Sequence, residues 1–209
     1  MKPGYRVQVI ENFLRPEIAN RASNHIGQLL TNTNHVWSTN FAWITNRPKD
    51  QQDKHHQDLK FDRYNNLVLV HQIYKTDLKL YEEICKDITR HHPNLEPERP
   101  ASAQYFVWTG GSNIEWHNDF SKHVDKKRRG AITIYLNHHW PIERGGDFFY
   151  RDEHGQTNRV TPSFNLAVSI GNVDHRSTRV EGRHFRKAIQ IFVKEKEPSQ
   201  RVDIDMDFC

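Results

Sequence analysis

At 209 residues the chain is long enough for one domain with its own core and short for two. Hydrophobic residues make up 35% and aromatics 11%, so a globular fold needs no disulfide staples; the two cysteines, Cys85 and the final Cys209, argue against a structural bridge and for a reducing, cytoplasmic setting. The opening "MKPGYRVQVIENFL" lacks the apolar core of a signal peptide and no apolar run approaches a membrane span, while the net charge of +4 reads as that of an ordinary basic protein rather than a nucleic-acid binder.

In chain order, "YRVQVIENF" alternates Val7, Val9 and Glu11 with Gln8 and Ile10 and predicts a strand. "LRPEIANRASNHIGQLL" predicts a helix: Pro16 suits its first turn, and Ile18, Ala22, Ile26 and Leu29 recur at helical spacing. Residues 31 to 64 are polar, with Trp37, Phe41, Trp43 and Ile44 as the main apolar anchors, and are expected to be an irregular, functional or mobile stretch. "NLVLVHQIY" predicts a strand over 66 to 74. "TDLKLYEEICKDITRHHP" predicts a helix capped by Thr76 or Asp77, with Leu78, Tyr81, Ile84, Cys85 and Ile88 on one face, ending before Pro93. From about residue 100 the texture changes to short strand-like runs: "SAQYFVW", "NIEWH", "GAITIYLN", "GGDFFYR", "TNRV", "FNLAVSI" and "KAIQIFV". Gly110-Gly111, Gly145-Gly146, His154-Gly155, Pro162 and Gly171 punctuate them, which argues for an α+β, mainly β protein: a sandwich or barrel of antiparallel strands with the N-terminal helices packed outside. The expected organisation is one domain over 1–209, with a strand-and-helix support region at 1–99, the β core at 100–195 and a loose tail at 196–209.

With 14 histidines and 14 aspartates, chance alone gives about one His-x-Asp triplet; the chain has three, His56-Gln57-Asp58, His117-Asn118-Asp119 and His123-Val124-Asp125. The first lies in a polar loop without a rigid support. The third sits among Lys122, Lys126, Lys127, Arg128 and Arg129, which would repel a dication. His117 closes the strand-like "NIEW", and residues i and i+2 of a strand share a face, so His117 and Asp119 can converge as two thirds of the facial triad that suits non-haem Fe(II). The third ligand should be a later histidine: His138 and His139 fall where the chain turns, His154 in a hairpin tip, and His184 and His175 remain, of which His175 follows "NLAVSI" at a strand edge where it can face inward. In the last strand, alternation puts Arg186, Ala188 and Gln190 on one face and Ile189, Ile191 and Val193 on the other; a guanidinium there can grip a carboxylate, and Tyr135, sharing a face with Thr133, can offer its hydroxyl to the same group.

Residues 101 to 193, through "AQYFVWTGGSNIEWHND", "AITIYLN", "ERGGDFF", "VTPSFNLAVSI", His175 and "RKAIQIF", resemble the Fe(II)/2-oxoglutarate-dependent dioxygenases, most closely the prolyl-hydroxylase-like branch, and "VIENFLRPEIANRA" looks like the opening of that branch. The resemblance implies a double-stranded β-helix (jelly-roll), with iron held by His117, Asp119 and His175. It implies too that Arg186 binds the distal carboxylate of the 2-oxoglutarate cosubstrate with help from Tyr135, and that O2 is the oxidant. Arg186 follows His175 by eleven positions, and Arg183 in "GRHFRKA" competes for the anchor's role. Asp119 is the carboxylate that halogenating relatives replace with a small residue, so the implied reaction is hydroxylation of a C–H bond with release of succinate and CO2.

The substrate is expected to be a protein or peptide side chain, with proline the first choice by analogy and a free amino acid or other small metabolite close behind. Trp108, Trp116, Phe148 and Tyr150 are candidates for lining its pocket, and the cationic segment 121–129 for a lid or for a solvated turn. A non-catalytic metal-binding module and a nucleic-acid binder rank lower. The second predicts aromatics interleaved with Lys and Arg along exposed strands, whereas the cations here gather in loops.

Overall fold

A computed structural model describes residues 7–40, 68–119 and 128–197. Among these residues, twelve strands and two α-helices follow one another as β1 (Gln8–Ile10), α1 (Pro16–Thr31), β2 (Ser38–Asn40), β3 (Val68–Gln72), α2 (Leu78–His91), β4 (Leu95–Pro97), β5 (Ala103–Trp108), β6 (Ile114–His117), β7 (Arg128–Tyr135), β8 (Phe148–Arg151), β9 (Thr157–Val160), β10 (Ala167–Ile170), β11 (His175–Ser177) and β12 (Arg186–Glu195). The strands form two antiparallel sheets. The larger runs β1-β10-β7-β12-β5-β3-β2, with β4 also paired to β12, and the smaller runs β6-β11-β8-β9. This is the double-stranded β-helix. No described helix is long and apolar enough to cross a membrane.

The central strands of the larger sheet bury apolar side chains on the helix side, while the face toward the smaller sheet mixes apolar residues with Thr133, Arg186 and Gln190. On β5, Ala103, Tyr105 and Val107 face the helices, while Phe106 and Trp108 join a second cluster toward the smaller sheet. On β12, Ile189, Ile191 and Val193 go to the helix side and Ala188 to the interior between the sheets, as the alternation predicts. Each buried Ile, Leu or Phe contributes about 1.5–3 kcal/mol of transfer free energy, so the helix-side cluster is the main reservoir of stability.

The helices dock by their predicted stripes. In α1, Ile18, Ala22, Ile26 and Leu29 are buried and Pro16 occupies the first turn. In α2 the cap is Asp77, whose side chain accepts from the Leu80 N–H at 2.9 Å. The buried face departs from expectation: Leu80, Ile84 and Ile88 form it, whereas Leu78 is 57% exposed. Leu78 opens the helix, and the capped turn aims positions 80, 84 and 88 at the sheet instead. Asp87, itself buried, ties α2 to the start of α1 by accepting from both the backbone N–H and Nε of Arg15, each at 2.9 Å.

Three local readings are corrected. The β1 strand is shorter than predicted, ending before Glu11. Ser38–Asn40, inside the polar stretch assigned as irregular, pairs with β3, where ladder bonds rather than apolar side chains hold it. Arg128 and Arg129 belong to β7, not to the cationic loop, and Arg129 Nε lies 3.2 Å from Glu195. His175 opens β11 and faces inward as expected, and β11 is flanked by β6 and β8. The segments 1–6, 41–67, 120–127 and 198–209 lie outside the described residues, and with them the start of the first predicted strand, Phe41, Trp43, Ile44, His56-Asp58, His123-Asp125, Lys122, Lys126, Lys127, most of the proposed lid and nearly all of the tail.

Candidate metal and cosubstrate site

His117 ends β6 and His175 begins β11, and the antiparallel register sets the two residues directly opposite each other. Their ring centroids are 4.2 Å apart. Asp119 follows two residues after His117, and all three side chains offer ligand atoms within 4.8 Å of one another. His117 Nε2 stands 3.6 Å from Asp119 Oδ1, and His175 Nε2 stands 3.7 Å from Asp119 Oδ2.

These separations are too long for hydrogen bonds. They match donors that share one ion, since two ligands each about 2.1 Å from a metal stand roughly 3–4 Å apart. The other ring nitrogens are engaged by the backbone: His117 Nδ1 with Glu115 O at 2.8 Å and His175 Nδ1 with Val173 O at 3.0 Å. That engagement places the proton on Nδ1 and leaves both Nε2 lone pairs turned to the carboxylate, the usual support of a metal-binding histidine. Burial lowers the His175 pKa against the opposing pull of Asp119, which favours the neutral imidazole a metal needs. Two imidazoles and one carboxylate, held on one side by rigid strands, are the donor set of an Fe(II) facial triad, so the residues present fit the ion.

Beyond the triad the cleft encloses about 530 Å³ with its open mouth included, and Trp108, Tyr135, Phe148, Arg186 and Ala188 are among its lining residues. Arg186 is only 3% exposed. Its guanidinium carbon lies 4.5 Å from the centre of the Trp108 ring and 5.8 Å from that of Tyr135. Nη1 donates to the carbonyl of Gly146 and to Ser177 Oγ, whereas Nε has no partner. Among the described residues no carboxylate is paired with Arg186. A buried cation without a direct counter-ion is costly, so the arrangement asks for an anionic ligand. Burial accordingly pulls the guanidinium pKa down and pushes that of the fully enclosed Tyr135 phenol up. Gly146 makes the packing possible: its φ is +70°, and a Cβ there would come within 3.0 Å of Arg186 Cδ.

The five predicted site residues thus fall into one cleft. The competitor Arg183 is exposed, whereas Arg186 is buried in the cleft. His138 is exposed and stacks on Phe164 with ring centroids 3.8 Å apart, His154 lies in an exposed turn, and His184 packs against Trp140. Of the four aromatics considered for the pocket, Trp108 and Phe148 line the cleft. Trp116 alternates with the inward His117 and packs instead against the guanidinium groups of Arg151 and Arg176, and Tyr150 packs beside Phe148. Sequence reasoning missed Ser177 and Gly146. Ser177 was within reach, because it stands two residues after His175 and strand alternation puts both on one face.

Residues 101–194 match the profile of the 2OG-Fe(II) oxygenase superfamily. No curated protein matches the chain. Among solved structures, a Pseudomonas putida prolyl-4-hydroxylase is similar with a TM-score of 0.60 at 13% identity, over 92% of this chain and 94% of that one. A Trichoplax adhaerens prolyl hydroxylase, solved in complex with a hypoxia inducible factor oxygen degradation domain peptide fragment, gives 0.63 at 13% identity over 94% and 86%. A prolyl 4-hydroxylase from Phytophthora capsici gives 0.57 at 15% identity over 93% of this chain and 60% of that one. At these identities the structures speak to the fold, and the profile speaks to the family. With the two in agreement, residues 101–194 carry the 2OG-Fe(II) oxygenase domain on a prolyl-hydroxylase-like fold, that of a dioxygenase whose cofactors are Fe(II), 2-oxoglutarate and O2.

Proposed function

We propose that the enzyme hydroxylates an unactivated C–H bond of a protein or peptide side chain, proline first, and that it does so with iron held by His117, Asp119 and His175. Arg186 and Tyr135 hold the distal carboxylate of 2-oxoglutarate. The observation that carries this reading is the buried Arg186, a cation with no carboxylate partner among the described residues, in the same cleft as the triad. Bound there, iron, cosubstrate and dioxygen would supply the oxidant that converts C–H to C–OH and leaves succinate and CO2.

The chain's own residues do the rest. The backbone carbonyls of Glu115 and Val173 fix the two imidazoles with Nε2 toward the metal position. Trp108 and Tyr135 wall the guanidinium, so its field acts in a low-dielectric setting and an incoming carboxylate meets a pre-aimed partner. Phe148, stacked on His175 with centroids 5.4 Å apart, helps keep water from the ligand sphere. The peptide assignment draws support from the prolyl hydroxylases of like fold, one of them solved with a peptide.

The test is a screen of proline-containing and other peptides with the Fe(II)-loaded enzyme and 2-oxoglutarate, followed by mass spectrometry for a gain of one oxygen atom and by succinate assay. A product formed only with 2-oxoglutarate supports the reading. Products from free amino acids with none from any peptide would transfer it to small-metabolite hydroxylation.

A further inference from the structure

Asp147, immediately before β8, is a carboxylate that the reaction does not use, yet it is 5% exposed. Its Oδ2 accepts from Arg159 Nη2 at 2.7 Å, and its Oδ1 has no hydrogen-bond partner. Arg159 lies on β9 opposite Phe149, one position before the inward Val160, so it reaches Asp147 from outside the barrel and is itself half exposed. Asp147 is bound into the anchor of Arg186. The preceding residue supplies the Gly146 carbonyl that accepts from Arg186, and Ser177 Oγ, which also accepts from Arg186, lies 3.3 Å from the Asp147 carbonyl. The Asp147 N–H donates to Thr178 Oγ1 at 2.9 Å, and the Thr178 N–H donates back to the Asp147 carbonyl at 2.9 Å. The negative charge of Asp147 is felt at both Arg186 and Tyr135. Asp147 is thus the chain neighbour of the residue that holds Arg186, and its buried carboxylate, if freed, is available to a guanidinium that has no carboxylate partner among the described residues, as a built-in competitor for any anionic ligand.

We propose that Arg159 is a positioning residue for the cosubstrate site: by holding the Asp147 carboxylate from outside the barrel, it keeps that carboxylate off Arg186 and leaves the guanidinium open to the distal carboxylate of 2-oxoglutarate. The inference rests on Arg186 being that anchor. Arg159 touches neither the metal position nor the cleft; it acts through Asp147. Its loss frees an internal anion that competes with the cosubstrate. Removal of Asp147 at the same time abolishes the competition, so the two substitutions must not add.

The experiment is calorimetric titration of 2-oxoglutarate into anaerobic, Fe(II)-loaded protein, with kinetics on the same variants. Arg159→Ala should weaken binding by roughly tenfold or more, in keeping with measured couplings of close charge pairs. Its KM for 2-oxoglutarate should rise, while kcat at saturating cosubstrate recovers. Arg159→Lys, which keeps the cation, should restore most of the affinity, and Arg159→Ala combined with Asp147→Asn should return it close to the wild-type value. Wild-type affinity in Arg159→Ala, or a double variant as weak as Arg159→Ala alone, overturns the proposal. Arg186→Ala separates this failure from that of the reading beneath it: if Arg186→Ala binds 2-oxoglutarate like wild type, the anchor itself is wrong, whereas if it loses binding and Arg159→Ala does not, only the role of Arg159 falls.

Discussion

Arg186 and Arg183 stand three positions apart on the same approach to β12, yet one is buried under Trp108 and the other exposed. Arg186→Ala should therefore weaken 2-oxoglutarate binding by about 2–5 kcal/mol, the cost of removing one partner from a buried charge pair. Arg183→Ala should leave the dissociation constant near wild type. Equal losses in the two titrations would contradict the placement of β12. At the metal end, His175→Ala removes one of three donors, two of which sit on facing strands. Fe(II) retained after desalting, measured by a colorimetric chelator, should fall to background in His175→Ala and remain stoichiometric in His123→Ala. Iron loss in His123→Ala as well would mean that the ligand set is wrongly drawn.

At the scale of elements, the two helices dock by few residues, and α2 separates its buried and exposed leucines sharply. Leu80→Ala empties a fully buried position and should cost about 2–5 kcal/mol in chemical denaturation. Leu78→Ala, more than half exposed, should change the midpoint little. A second junction is Asn165, buried with φ at +59°, whose side chain accepts from the Leu14 N–H at 2.9 Å and donates to the Leu14 carbonyl at 2.8 Å. Asn165→Ala leaves two buried backbone groups of the α1 approach unpaired, each worth roughly 1–3 kcal/mol. The loss should appear as reduced stability, while the iron content of the folded protein stays unchanged, because the clamp lies on the helix side of the sheet. A stability equal to wild type would show that water satisfies those groups.

For the molecule as a whole, acid is the expected weakness. Burial holds His71 down to about 4 from 6.5, with the charges of His35, His25 and Lys75 adding to the effect, and burial with His91 holds His92 down to about 4 likewise. The unfolded chain takes up these protons near pH 6.5 and the folded chain only near pH 4. Stability should thus be level above about pH 6.5, fall as pH drops toward about 4 and flatten below it as far as these two groups are concerned. Urea midpoints across that window should decline in the wild type and decline less in a His71→Gln/His92→Gln variant. An identical slope in both would assign the acid sensitivity to other groups.

What the sequence determined by itself is the part that depends on period and order. Helical spacing located α1 and α2, and two-residue alternation put Arg186, Ala188 and Gln190 on the interior face of β12 and Thr133 with Tyr135 on that of β7. The order of short runs after residue 100 pointed to the superfamily that the profile over 101–194 supports. These are consequences of local geometry, because the direction of a side chain along a strand or helix follows from the backbone alone. Other features were settled only by tertiary pairing. β2 and β11 are held by ladder bonds to β3, β6 and β8, and their few residues carry too weak a pattern to declare themselves. The burial of Arg186, in contrast to the exposed Arg183, depends on the register of β12 against β5 and β7, which sets Arg186 opposite Trp108. The distance between His117 and His175, separated by more than fifty residues in the chain, exists only because β6 and β11 lie side by side. The pairing of Arg159 with Asp147, and its bearing on Arg186, required three strands and a glycine turn to meet. Contacts between distant segments leave no periodic trace in either segment, and so the fold alone decides them.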